Sequence, residues 1–198
     1  MPDTGAPWNI PFLDGTELVR AYPDCSEDLA DAVADGLSAA GGLVAVKHAI
    51  FTGTQTNSTA GGANFAVDDL SITHEVADAS NKLIISAFFG AAANNERGRV
   101  GIAIHDGSGL ISIGAADGDR TQVTAGGTTT FAQAVSQVTM PHITIVHTPG
   151  AGAKTYTVRA INVVESTSTV FINRNEVDGD NAGQPRAVSS LVIQEVRA

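Results

Sequence analysis

The sequence predicts a mainly β protein: a jelly-roll-like antiparallel β-sandwich preceded by an extended N-terminal arm and one short helix. Three observations lead there. From Leu43 onward, about ten short apolar segments, many with a period of two, are separated by turn-forming residues. No β-α-β alternation appears after Gly42, which excludes a doubly wound sheet or a TIM barrel. Ahead of the strands, four of the seven prolines fall in the first 24 residues, followed by one stretch of helical periodicity.

The arm, residues 1–24, carries Pro2, Pro7, Pro11 and Pro23. Their fixed φ angles rule out a helix through its early part and favour an extended strap. Trp8, Ile10, Phe12, Leu18 and Tyr22 are large apolar side chains that a strap cannot bury by itself. Either the strap wraps its own β-domain or it docks into a separate protein. Trp8, Ile10, Pro11, Phe12, Leu18 and Tyr22 are therefore the candidate anchoring residues.

Residues 25–42 have helical signals. Ser26 is a plausible N-cap, Glu27 and Asp28 suit the positive end of the helix dipole, and Gly41-Gly42 stops the element. Leu29, Val33, Gly36 or Leu37, and Ala40 recur at spacings of four and three, making one apolar stripe. A lone helix of this length is marginal in water, so the stripe packs either on the β-domain or on copies of itself. Small residues on it would let helices approach closely about a common axis. Cys25, the only cysteine, excludes an intrachain disulfide and reads as a reduced thiol.

The β-domain, residues 43–198, is expected to hold strands over 43–52, 65–76, 82–89, 99–105, 109–113, 131–140, 142–147, 155–164, 170–173 and 187–196. Asp106-Gly107-Ser108-Gly109 reads as a tight hairpin with glycine available for positive φ. Gly126-Gly127, Gly150-Ala151-Gly152, Asp117-Gly118-Asp119 and Asp178-Gly179-Asp180 mark further loops.

Hydrophobic residues make up 43% of the chain and charged residues 16%, with net charge −10. Too much apolar material argues against disorder, and the negative charge argues against nucleic-acid binding. No apolar run reaches the roughly 18 residues of a membrane span, and the first residues have no basic-then-apolar signal-peptide pattern. Phosphate-loop, zinc-protease, nucleophile-elbow and dinucleotide motifs are all missing. The five histidines, His48, His74, His105, His142 and His147, show neither ligand spacing nor a linked carboxylate, although a histidine metal site on a three-fold axis stays open. The Asp-Gly loops invite a calcium reading but do not follow the EF-hand pattern, and read as turns. Carboxylate pairs for glycoside hydrolysis could arise by chance among 21 acids, yet no aromatic-rich cleft is evident. No enzymatic activity, catalytic residue, cofactor or metal is expected.

LDGTELVRAYP (residues 13–23), an Ala-rich helix, and then GLVAVKHAIFTG (residues 42–53) resemble the opening of bacteriophage fibre, spike and decoration proteins. TYTVRA (residues 155–160) and the closing SSLVIQEVRA (residues 189–198) look like the last strands of such proteins. The resemblance covers the layout of the whole chain, with short and degenerate motifs, and no binding residue carries over one by one. It implies an N-terminal segment anchored to the particle, a short helix bundled on a three-fold axis, and a β-sandwich projecting outward. Leu29, Val33, Gly36, Leu37 and Ala40 would then line the axis of a homotrimer. The implied partners are capsid or tail structural proteins, and the implied location is the virion, assembled in the host cytoplasm. The alternative expectation is a receptor-binding tail-fibre module whose loops recognise a host surface glycan, marked by an aromatic-lined groove at the distal loops.

Overall fold

Side-chain alternation sets the strands, and their pairing decides the architecture. A computed structural model of the chain describes residues 42–94, 99–128, 138–180, 182 and 184–198. The strands are β1 (Leu43–Phe51), β2 (Gln55–Thr59), β3 (Asn64–Val76), β4 (Lys82–Phe88), β5 (Ala91–Ala93) and β6 (Arg99–His105). They continue as β7 (Leu110–Ile111), β8 (Ala125–Thr128), β9 (His142–His147), β10 (Gly152–Asn162), β11 (Ser168–Ile172) and β12 (Ser189–Val196). The described part is mainly β, and no helix occurs among the described residues. The arm over 1–24 and the helix expected over 25–42 lie outside the described residues, apart from Gly42.

The strands form three antiparallel sheets. One has the order β1-β12-β4-β9, the second β3-β10-β6-β7 with β8 also paired to β6, and the third β2-β11-β5. Period-two burial is cleanest in β12, where Ser189, Leu191, Ile193 and Glu195 are buried and their neighbours half-buried. Leu83 and Ile85 of β4 and Ile143 of β9 alternate likewise into one core, and Ile102 and Ile104 join it from β6, which is buried continuously over Val100–Ile104. Tyr156 and Val158 of β10 and Val170 and Ile172 of β11 join it, so all three sheets contribute.

The low content of charge has a structural counterpart. Where strands turn a polar face outward, hydroxyls pair across them: Ser71 with Thr157 and Thr73 with Thr155, both at 2.9 Å, and Ser58 with Thr169 at 2.8 Å. Such cross-strand pairs satisfy polar groups without charge and tie neighbouring strands together.

The Asp106–Gly109 hairpin forms as its residues dictate. Asp106 N–H donates to the Gly109 carbonyl at 3.1 Å, and the Asp106 carboxylate accepts from Ser108 and Gly109 N–H at 2.8 and 3.0 Å. Gly107 sits at φ 94°, where a side chain would be strained.

Three strands escape the pattern of the sequence. β2, QTNST, is polar throughout, and β8, AGGT, holds two glycines. β5, three buried alanines, is short and made of a residue with weak strand preference. Of the strand expected over 131–140, the described residues 138–140 contribute a single bridge between Thr139 and Ala91. The expected β10 and β11 are each shifted toward the N-terminus by one to three residues.

From Leu43 to Ala198 the chain makes one compact unit. A chain truncated to these residues is expected to give a β-type circular dichroism spectrum and one cooperative melt; an unfolded product would refute independent folding. Within it, Ile193 is fully buried. Ile193→Ala should lower stability by about 2–5 kcal/mol in denaturant titration.

Candidate functional site

A cleft of about 1420 Å³ opens where three loops meet the start of β6. Gly61 and Gly62 come from the β2–β3 turn, Arg99 from the start of β6, residues 117–121 from the β7–β8 connection, and residues 163–168 from the β10–β11 loop. Gly61 allows this meeting: a Cβ there would lie 2.2 Å from the Val164 carbonyl oxygen, so the two loops touch backbone to backbone. Beneath them, Asn162 is fully buried; its Nδ2 donates to the Thr59 and Ser166 carbonyls at 2.9 and 3.0 Å, and its Oδ1 accepts from Ser168 Oγ at 2.9 Å. A satisfied polar clamp thus ties the β2–β3 and β10–β11 segments that border the cleft.

The cleft's chemistry is polar and open. Asp117 pairs with Arg120 at 2.5 Å, both well exposed, so that carboxylate already faces a guanidinium. Asp119 and Glu165 are exposed as well. A general acid for glycoside hydrolysis needs a carboxyl whose proton affinity is raised by burial, and none of these acids has that setting. No aromatic side chain lines the cleft among the described residues.

The second Asp-Gly loop is likewise built on arginine. Asp178 is gripped by Arg186 at 2.7 Å and Arg174 at 3.2 Å, and Arg174 also lies 4.6 Å over the Phe171 ring. Both loops therefore direct carboxylates at guanidinium groups. Among the described residues, no three His, Cys, Asp or Glu side chains converge as a metal would require.

At the opposite end of the strands lies a buried charged cluster that joins β3 to β12. Glu195 and His74 are almost wholly buried, with Glu195 Oε2 2.7 Å from His74 Nε2. Its Oε1 accepts from Asn81 Nδ2 at 2.6 Å and from Ala77 N–H at 2.9 Å. Burial alone would raise the Glu195 carboxyl, but the hydrogen bonds from Asn81, His74 and Ala77 outweigh it and hold it below its ordinary value. Nearby, burial, aided by Asp106, pushes the Tyr156 hydroxyl up to about 12, and burial lowers His147, whose ring meets Tyr156 edge-on at 6.0 Å.

Sequence spacing showed no carboxylate linked to any histidine, and His74 corrects that: its partner is 121 residues away. No sequence signal could have joined them, because the contact exists only once β3 and β12 are in place. His48 and His142 are exposed, and His105 and His147 are half-buried. The anchoring candidates Trp8, Ile10, Pro11, Phe12, Leu18 and Tyr22 lie outside the described residues. So do the axis candidates Leu29, Val33, Gly36, Leu37 and Ala40. No protein-family model matches the chain, and no curated protein matches it in sequence.

The buried carboxylate makes acid stability testable. Because the folded Glu195 group lies below its ordinary 4.5, its contribution is complete above that pH and is lost as pH falls through the folded value. Glu195→Ala strands the buried His74 and Asn81 side chains along with the Ala77 N–H and should cost about 3–5 kcal/mol at neutral pH. Glu195→Gln should cost less and flatten the fall of melting temperature in acid. An acid limb unchanged in Glu195→Gln would show that other carboxylates control it.

Proposed function

We propose that this chain is a structural protein of a bacteriophage particle: a trimeric surface fibre, spike or capsid decoration attached by its N-terminal arm, residues 1–24. The observation that carries the reading is the polarity of the β-domain. The chain enters at Leu43, paired with Val196, so the beginning and end of the domain share one end of the strands. The open cleft lies at the other end, beyond Asn64 of β3 and Asn162 of β10. β10 has eleven residues and spans about 36 Å at about 3.3 Å per residue. A domain tethered at one end and presenting loops at the other suits a projection from a particle.

The jelly roll belongs to the same proposal. The pairs β1·β12, β3·β10, β4·β9 and β6·β8 are those of one long hairpin, and β12·β4 and β10·β6 are the added pairs made when it is rolled up. Rolled in this way, the strands separate into two sheets around one core. The core cluster supports it, since Leu191 and Ile193 of one sheet and Leu70 and Ile102 of the other belong to it together.

The particle reading needs no catalytic residue, cofactor or metal. Its location is the virion, assembled in the host cytoplasm, and its partners are capsid or tail proteins. Trp8, Ile10 and Phe12 would supply the docking contact, with burial worth about 1.5–3 kcal/mol each before ordering costs. Three copies would multiply the gain through effective concentration. The receptor-binding alternative rests on the distal cleft, whose polar, open lining offers hydrogen bonds to a glycan but not the aromatic surface on which a sugar ring would stack.

Deleting residues 1–24 should leave a folded oligomer that no longer incorporates into particles. Immunodetection on purified particles decides this, and normal incorporation would locate attachment in the β-domain. Arg99→Ala with Glu165→Ala should leave adsorption of particles to cells unchanged; lost adsorption would favour the receptor-binding alternative.

A further inference from the structure

The two larger sheets present very different outward faces. On the β3-β10-β6 sheet, the outward side shows Ser71, Thr73 and Glu75 of β3 beside Thr155 and Thr157 of β10. On the β1-β12-β4-β9 sheet it carries more apolar side chains, interleaved with polar ones. Strand register places Val46, Ile84 and Val146 in one row with Gln194, and Ile50 and Phe88 in another with Ser190 and His142. Between the rows stands a mostly polar one, His48, Val192, Ser86 and Thr144, whose Ser86 and Thr144 hydroxyls pair at 3.0 Å. Val46, Ile50 and Val146 are 51%, 53% and 63% exposed, too open to serve the core.

We propose that this face is where copies of the chain meet, three sheets turned inward about a three-fold axis. The inference rests on the homotrimer reading above but assigns the contact to the β-domain, independently of residues 25–42.

Charge is the first reason to choose a second copy over another occupant. The chain carries net charge −10, so most pairs of its surfaces repel. This face is the exception: Glu195, the only acid within the four strands, points inward, and Lys82 is the one lysine or arginine among the outward positions. Like faces can therefore meet without opposed carboxylates.

Size is the second reason. Four strands at about 4.8 Å make a face about 19 Å wide, and seven residues at about 3.3 Å make it about 23 Å long. Three such footprints meet on the axis, about 1,300 Å² of covered face in all, and each copy shares its face between two neighbours.

Shape is the third. Three faces about 19 Å wide close a triangular prism whose walls lie about 5.5 Å from the axis, close to half the roughly 10 Å between packed sheets. Side chains of ordinary length then fill the axis. A fifth strand would leave a gap, and three strands would crowd it. At each corner, β1 of one copy adjoins β9 of the next, which brings Val46 toward Val146.

The test uses the full chain. Sedimentation equilibrium at micromolar concentration should give about three times 20.2 kDa. The double variant Val46→Glu with Val146→Glu places two carboxylates at each corner and should weaken the trimer at least a hundredfold. Both positions are exposed in the single copy, so its circular dichroism should not change. Thr155→Glu, on the outward face of the other sheet, should leave assembly intact. A monomeric wild type, or a double variant that assembles normally, would overturn the proposal.

A second measurement avoids disruptive substitution. In a Cys25→Ser background, Val146→Cys should alkylate at least tenfold more slowly in the trimer than after dilution to monomer. Full reactivity in the trimer, or protection that ignores concentration, would count against copy-to-copy contact and, in the latter case, point to a cover from the same chain. These readouts use purified protein, so their failure is distinguishable from failure of particle incorporation, which the arm deletion reports.

Discussion

β12 is the last strand of the chain and an inner strand of its sheet, lying between β1 and β4. Leu191 and Ile193 reach the core from it, and Glu195 reaches β3. Without β12, β1 loses its partner in the sheet, β4 keeps only β9, and His74 faces no carboxylate. Completion of the fold therefore waits on pairing between the two ends of the β-domain. Contacts of this sequence separation carry a large loop-closure cost before burial repays it, so slow, strongly cooperative folding is the natural consequence.

Buried polar groups secure what the strands alone would leave loose. Asn173, in the left-handed region at φ 59°, donates through Nδ2 to the Phe51 and Gly53 carbonyls and accepts from Ser189 Oγ. It thereby fastens the end of β1 to the start of β12. Asn162 does the same under the distal loops, and Glu195 at the other end. Each clamp is costly if broken, because its members are buried and have no water to turn to. Both ends of the domain are held by hydrogen bonds made between distant segments.

This arrangement suits a part that is held at one end and presents surface elsewhere. The distal cleft is bordered by polar loops braced from below, and its acids are exposed or matched with arginine. The outward faces divide the remaining surface into a hydroxyl-rich side and a mixed side that exposes Val46, Ile50 and Val146 and bears no carboxylate. With net charge −10, the chain keeps its acids off the outward positions of β1, β12, β4 and β9.

The sequence alone determined the class of structure. Period-two spacing marked most of the long strands, and Asp106-Gly107-Ser108-Gly109 marked its own hairpin, because alternation and turn chemistry are local. Polar β2, glycine-rich β8 and all-alanine β5 were hidden, since their strand state comes from the neighbours they pair with rather than from their own preferences. Sequence also marked Val46, Ile84 and Val146 as apolar without saying which side of a sheet they occupy. Only the tertiary structure decided that, along with the His74–Glu195 pair and the meeting of Gly61 with Val164. Facing and cross-sheet contact depend on which strands pair and in what register, and that is settled by burial across the whole core at once.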